Sequence, residues 1–208
     1  WIVRSFVEKT RTSSLYQLSK TLLDFLGAVT GLFIMLLFFP VISLGIILES
    51  GFPIFFTQER LGRGGQPYKI IKFRTMDRDA ERDGVIRMAE ENDERVTRFG
   101  WFLRKSHLDE LPQFINVIRG DMSLVGPRAE RPQLVAFFQN QIPFYRARLL
   151  IKPGITGWAQ INYGYAGTVD ETAIKLEYDL YYIEHRNLLM DISILLRTIS
   201  TVLGFKGQ

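Results

Sequence analysis

From Phe25 to Leu48 the chain reads FLGAVTGLFIMLLFFPVISLGIIL, 24 residues without a charge. A helix of that length is about 36 Å long, enough to cross a hydrocarbon layer of about 30 Å. The run is too long for a signal peptide and no small-residue cleavage site closes it. Pro40 interrupts it, and an internal proline removes a hydrogen bond and clashes with the preceding turn. The pattern therefore predicts helix–break–helix. The Thr30 or Ser43 hydroxyl, or water, would serve the freed backbone.

Both flanks are basic: Arg4, Lys9, Arg11 and Lys20 before the run, and Arg60, Arg63, Lys69, Lys72 and Arg74 after it. The positive-inside tendency places either flank on the cytoplasmic side. A re-entrant hairpin turning at Pro40 satisfies both flanks. A straight span and a buried soluble helix are the competing readings.

Downstream, Phe55–Thr57 and Tyr68–Phe73 are β-prone runs separated by Gly62, Gly64 and Gly65, the pattern of a β-hairpin. No Gly-Lys-Ser/Thr follows these glycines, so they read as a turn and not as a phosphate loop. Residues 77–98 are densely charged and read as a solvated helix and loop. Leu111, Phe114, Ile115 and Ile118 recur at helical spacing, with Gly120 as a stop. A further helix is predicted around PQLVAFFQNQ, with Pro132 in its first turn. Residues 149–167 (LLIKPGITGWAQINYGYAG) read as loop. Thr168 and Glu171 form a capping box for the next helix. The last helix, LLMDISILLRTISTVL, has 16 residues. It is too short to span and either packs on the domain or lies in a membrane interface.

These elements give an α+β fold, mostly helical, with one small antiparallel hairpin. The expected organisation is a juxtamembrane segment (1–20), a re-entrant membrane hairpin (21–50) and a catalytic domain (51–208). The opening Trp1 is expected of a piece of a longer protein.

Charge narrows the partners only a little. With 26 basic and 22 acidic residues, the chain suits phosphates or anionic lipid better than it suits nucleic acid. It contains no cysteine, which excludes disulfides and thiolate metal sites. Its two histidines, His107 and His185, stand far apart in sequence and make a zinc site a poor reading. His107 reads as a solvent-facing residue of a first helical turn, and His185 as one favoured by a helix C-terminus.

The candidate chemistry lies in RKSHLDELPQFINVIRGDMSLVGPR, residues 104–128. Asp109 and Glu110 are adjacent carboxylates. On local rules Ser106 caps a helix with Asp109 as its box partner, or Asp109 is itself the cap with Pro112 in the first turn. Either way Asp109 sits at the positive end of a helix dipole, which favours its ionised form. A purely structural cap is the bland reading. Two adjacent carboxylates also attract a divalent cation. Lys72, Arg74, Arg104, Lys105, Arg119, Arg128 and Arg131 surround the pair in sequence. Cations about a carboxylate suit an anionic substrate that a second anion must attack, as in phosphoryl transfer.

The ordered set FFTQERLGRGG, KFRTM (72–76), LDELPQFINVIRGDMSLVGPR (108–128), KPGITGWAQIN (152–162) and KLEYDLYYI (175–183), together with the Pro40 break, resembles the bacterial sugar transferases. These are monotopic phosphoglycosyl transferases acting on polyprenol phosphate. The resemblance covers residues 15–203 and implies that Asp109 is a nucleophile attacking the β-phosphorus of a UDP-sugar. UMP leaves, and an aspartyl-phosphosugar passes its phosphosugar to undecaprenyl phosphate. Glu110 is implied as base or metal ligand, so that Asp109 and Glu110 form the implied Mg2+ site. Lys72, Arg74, Arg104 and Arg128 are the implied diphosphate- and nucleotide-binding residues.

The implied setting is the cytoplasmic face of a bacterial inner membrane, at the start of polysaccharide or glycoconjugate synthesis. Membrane lipid is a partner and a homo-oligomer stays open. One departure stands out: relatives often read Asn-Gly-Arg after GWAQ, whereas this chain has Tyr163-Gly164 and no arginine there. Tyr163 or Tyr165 would shape the sugar pocket instead. Two alternatives remain. One is a catalytically silent, membrane-attached module that binds nucleotide or a partner. The other is a transferase that uses a single displacement.

Overall fold

The structure is a computed structural model that describes residues 12–78, 80, 93–164 and 167–204. Most of the charged segment 77–98, and Tyr165, lie outside the described residues; at its end Val96 pairs with Met76 in an isolated bridge.

Helix α1 spans Ser14–Ser50, capped by Ser13, whose side chain accepts from the Tyr16 N–H. At 37 residues it is about 55 Å long. It runs unbroken through Pro40, so the predicted helix–break–helix is not seen as a break in secondary structure. Proline deletes one N–H, but the turns on both sides of it are pinned to the domain. Phe39 packs on Phe55 and Phe73, while Ile42 and Ile46 are buried with Leu103. The Ser43 hydroxyl donates to the Pro40 carbonyl at 3.1 Å; that of Thr30 donates to Leu26 instead.

The docked residues of α1 (Lys20, Asp24, Ala28, Gly31, Met35, Phe39, Ile42, Ile46, Glu49) form one stripe at helical spacing. Glycines notch this stripe. A Cβ at Gly31 would collide with the Phe114 ring, and one at Gly45 would stand 2.5 Å from the Phe99 ring. The remaining face exposes Leu18, Leu22, Phe25, Phe33, Leu36, Leu37, Val41 and Leu48. Lys20 reaches the Val125 carbonyl at 3.1 Å, and Glu49 accepts from the Phe99 N–H at 3.0 Å. Both ends of α1 thus dock on one body.

Strands β1 (Phe55–Leu61) and β2 (Pro67–Phe73) form the expected antiparallel hairpin, in register from Phe55↔Phe73 to Leu61↔Pro67. Helix α2 (Arg98–Lys105) is capped by Thr97. A 3-10 turn over Leu108–Glu110 then leads into α3 (Gln113–Arg119), which Gly120 closes in the left-handed conformation. Strand β3 (Ser123–Val125) precedes α4 (Pro132–Phe138), which carries its proline in the first turn.

Of the segment 149–167 expected to be loop, residues 149–162 carry regular elements. It holds a 3-10 run over Tyr145–Leu150, strand β4 (Gly154–Thr156) and α5 (Trp158–Asn162). β3 and β4 pair in parallel, a ladder that alternation in such short strands does not announce. Gly126 and Gly154 allow it, because a Cβ on either would strike the other's backbone. Helix α6 (Val169–His185) has the Thr168–Glu171 capping box, and α7 (Leu188–Leu203) closes the described chain.

One core joins these parts: Ala28 of α1 is buried with Ile70, Val117, Met122, Leu124, Tyr182 and Ile194. In α7, Ile194 and Asp191 face this core, whereas Leu189, Leu196 and Ile199 are exposed. The helix therefore packs on the domain with one face and leaves an apolar face outward.

Candidate active site

Ser106 ends a helix and begins none. Its hydroxyl donates back to the Phe102 carbonyl at 2.8 Å and to Leu103 at 3.2 Å, satisfying the end of α2. His107 follows with φ 57°, left-handed, a conformation that costs a side-chain-bearing residue roughly 1 kcal/mol. The chain then turns through Leu108–Glu110. Both predicted capping arrangements are therefore corrected. Asp109 sits inside a 3-10 turn, caps nothing and accepts no hydrogen bond among the described residues. His107 is half-buried rather than solvent-facing. Its Nε2 is buried without a partner, and burial lowers its pKa.

The hairpin delivers the cation. Asn116 of α3 donates to the Lys69 carbonyl at 2.8 Å and accepts from the Ile71 N–H at 3.1 Å, so α3 lies along β2. That docking brings Lys72 Nζ to 2.6 Å from Glu110 Oε1 and 3.8 Å from Asp109 Oδ2. Arg128 Nη2 lies 3.7 Å from Glu110 Oε1.

The two carboxylates end up unequal. Burial would raise both. For Glu110 the charges of Lys72 and Arg128 outweigh burial and hold its pKa at about 2. For Asp109 burial wins, with the Glu110 charge adding to it, and the pKa rises to about 6. The sequence expectation that a helix dipole keeps Asp109 ionised is thus reversed in sign. What holds Asp109 partly in check is the nearby charge of Lys72 and Arg104.

Of the other predicted residues, Arg104 donates from Nε to Thr75 Oγ1 at 2.9 Å and stays within electrostatic reach of Asp109. Arg74 is drawn elsewhere: it is 8% exposed, and Nη1 donates to the Ser50 carbonyl at the end of α1. Tyr163 stacks on Tyr178 with ring centroids 6.0 Å apart.

A shallow recess opens beside the pair, lined by Lys72, Glu110, Gln113, Arg128 and Gly154 among others. Asp109 does not line it and is 7% exposed. On the far side of Arg128 a second recess is lined by Leu61, Glu130, Arg148 and Pro153. Arg128 itself is half-exposed between the two, on a tightly held loop. Four successive carbonyls are taken: Pro127 by the Gly154 N–H (2.9 Å), Arg128 by Arg148 Nη2 (3.0 Å), Ala129 by Arg60 Nη1 (3.1 Å) and Glu130 by the Leu61 N–H (3.1 Å).

Arg148 is in turn fixed by Asp179 of α6 at 2.8 Å and by the Tyr145 hydroxyl at 2.8 Å. Burial opposes its charge, but Asp179, Tyr145 and Glu130 keep it protonated. Sequence reasoning missed Arg60, Asn116, Arg148 and Asp179. For Asp179 a signal existed: with Leu176, Tyr182 and Ile183 it occupies the buried stripe of α6, and an acid there needs a partner.

Among the described residues no group of three or more His, Cys, Asp or Glu stands together as a metal site. Magnesium needs no such cage. It is held by one or two carboxylates while substrate phosphates and water complete its shell. The Asp109–Glu110 pair beside a cation-lined recess fits that mode only together with a phosphate ligand.

Residues 15–205 match the bacterial sugar transferase family. The chain is 44% identical over 200 residues to the UDP-N-acetylgalactosamine-undecaprenyl-phosphate N-acetylgalactosaminephosphotransferase of Aeromonas hydrophila, covering 94% of this chain and 46% of that protein. It is 41% identical over 194 residues to the UDP-glucose:undecaprenyl-phosphate glucose-1-phosphate transferase of Xanthomonas campestris pv. campestris (92% and 40%). To the protein of the same description from Caulobacter vibrioides it is 42% identical over 191 residues (89% and 70%). The chain spans less than half the length of the first two relatives.

Proposed function

The chain belongs to the bacterial sugar transferase family, and we propose that it transfers a sugar 1-phosphate from a UDP-sugar to undecaprenyl phosphate, releasing UMP. The observation that carries the mechanism is the unequal geometry of the pair: Lys72 Nζ lies 2.6 Å from Glu110 but 3.8 Å from Asp109, whose carboxylate accepts no hydrogen bond among the described residues. Nucleophilicity rises with basicity. A carboxylate that Lys72 and Arg128 hold below its usual range is a weak nucleophile, and one that burial pushes above that range is a stronger one.

In the first step an Asp109 oxygen forms a bond to the β-phosphorus. The bond from that phosphorus to the bridging oxygen breaks, and UMP leaves with the electron pair. In the second step a phosphate oxygen of undecaprenyl phosphate attacks the same phosphorus and releases the Asp109 carboxylate. No net proton transfer is required. Lys72 and Arg128 neutralise phosphoryl charge as each anion approaches. Glu110, fixed by both, holds them in place. Magnesium, held by the Asp109–Glu110 pair together with the diphosphate, would supply further neutralisation of the leaving UMP. Arg104 supports Asp109 from α2. Arg74, with one Nη on the Ser50 carbonyl, stays a candidate for the nucleotide through its remaining donors.

The acceptor lives in a bilayer, so the site must work at its surface. We propose that the exposed apolar face of α1 embeds in one leaflet and that both ends return to the cytoplasmic side, with the outer face of α7 at the interface. Cysteine labelling of residues flanking α1 tests this arrangement, and opposite-side accessibility would defeat it. For the chemistry, incubation with UDP-glucose or UDP-N-acetylgalactosamine and no acceptor should leave a phosphosugar on an Asp109 peptide, detected by mass spectrometry. UMP release that needs acceptor and leaves Asp109 unmodified would point to a single displacement instead.

A further inference from the structure

Gln113 is 3% exposed, and its side-chain amide makes no hydrogen bond to any described residue. It nevertheless lines the recess that holds Lys72, Glu110 and Arg128. On the same wall Ile70, Met122 and Ile155 are apolar, Glu110 is already bonded to Lys72 at 2.6 Å, and Arg60 bonds the Ala129 carbonyl and Gln58 rather than Gln113. The amide atoms are not among the side-chain atoms sealed from solvent without a partner, so this head group is open to the recess while the rest of the residue is buried. A recess lined by three cations, Arg60, Lys72 and Arg128, against one acid selects an anion, and an amide N–H adds a directional donor that a flexible ammonium does not.

We infer that the Gln113 amide is a substrate-contact group that donates a hydrogen bond to a phosphoryl oxygen of the transferred sugar phosphate. This inference rests on the transferase reading above. The amide stays with that phosphoryl group through both half-reactions, whereas contacts to UMP are lost after the first.

The test compares the full chain with Gln113→Met, which keeps length and volume but removes the donor and acceptor. With Mg2+, undecaprenyl phosphate and whichever UDP-sugar the unaltered chain uses, kcat/KM for UMP release should fall roughly 10- to 100-fold. The Tm should stay level, since the amide makes no hydrogen bond to the described residues for Met to lose and Met keeps the buried volume. A packing role would instead lower the Tm and spare the kinetics. Unchanged kcat/KM in Gln113→Met overturns the inference, as it would if only an ordered water met the amide.

If Gln113→Met does not fold, Gln113→Glu carries the test. It has nearly the same shape but sets a carboxylate where the donor was, and wild-type kcat/KM in it is equally fatal. Calorimetric binding of the UDP-sugar to Asp109→Asn, with and without Gln113→Met, keeps the two readings separable. No UMP release by the unaltered chain sinks the transferase reading. Equal affinity in the two backgrounds sinks the role of Gln113, whose removal should weaken binding at least tenfold.

Discussion

Asp109 and Asp179 are both buried aspartates with a cation in reach, at 7% and 2% exposure. Asp179 is bonded to Arg148 at 2.8 Å, and Arg148 spends its remaining donors on Tyr145 and the Arg128 carbonyl. Asp109 accepts no hydrogen bond among the described residues, and its nearest cation, at 3.8 Å, is committed to Glu110. The first arrangement stiffens a loop. The second leaves a carboxylate basic and available. Burial alone does not distinguish a structural acid from a reactive one; the completeness of its hydrogen bonding does.

The sharpest way to break this contrast is Asp109→Asn. UMP release should fall at least about a thousandfold, while the metal-free protein becomes more stable at pH 7. The sign follows from the raised pKa. The folded carboxyl holds its proton up to about pH 6 and the unfolded one only to about 4, so folding is penalised above pH 6 and the penalty fades below 4. Thermal melts of both proteins across this window should converge at the acid end. A Tm advantage for Asp109→Asn that is constant from pH 4 to 7 would contradict the assignment.

Asp179 should behave in the opposite way. Arg148→Met strands it and should cost about 3–5 kcal/mol. Adding Asp179→Leu should recover most of that stability in denaturant melts, yet not the activity, because the Arg128 carbonyl still lacks its donor. Recovery of both would make the pair scaffold only.

Lys72→Met blurs the two carboxylates. Lys72 lowers both pKa values, so the acid limb of kcat/KM, expected near pH 6 in the unaltered chain, should move upward as the rate falls about a hundredfold. An unmoved limb would mean that another group sets it. The smallest effect belongs to His107→Gly. Relief of the left-handed residue and removal of a buried unbonded nitrogen should raise Tm by roughly 2–4 °C with activity within about threefold.

Much of this was legible in the chain. The hairpin declared itself through β-prone runs and glycines, α6 through Thr168 and Glu171, and the end of α3 through Gly120. The short pieces around the site did not. Seven-residue helices and three-residue strands carry too few positions for a period to emerge, and β3–β4 pairing joins residues 31 apart in sequence (Ser123 and Gly154). Ser106 illustrates the limit: its hydroxyl fits either end of a helix, and only the path of α2 decides which. Asp109 illustrates it again. Its residue type pointed to the chemistry, but its protonation depends on neighbours 37 residues upstream, such as Lys72, and the local rule gave the wrong sign. At Pro40 the helix assignment runs on, with the turns on both sides docked on the domain.

The docking of α1 at both ends has a thermodynamic consequence. Its inner stripe shares a core with β2, α3, β3 and α7, so the domain cannot unfold while that helix stays in place. A phase that takes up the outer stripe of the docked helix acts, by linkage, as a ligand of the native state. On the proposed attachment the bilayer is that ligand. Lipid composition and thickness then become variables of protein stability, and a detergent that loosens α1 loosens the platform on which Lys72 meets Glu110.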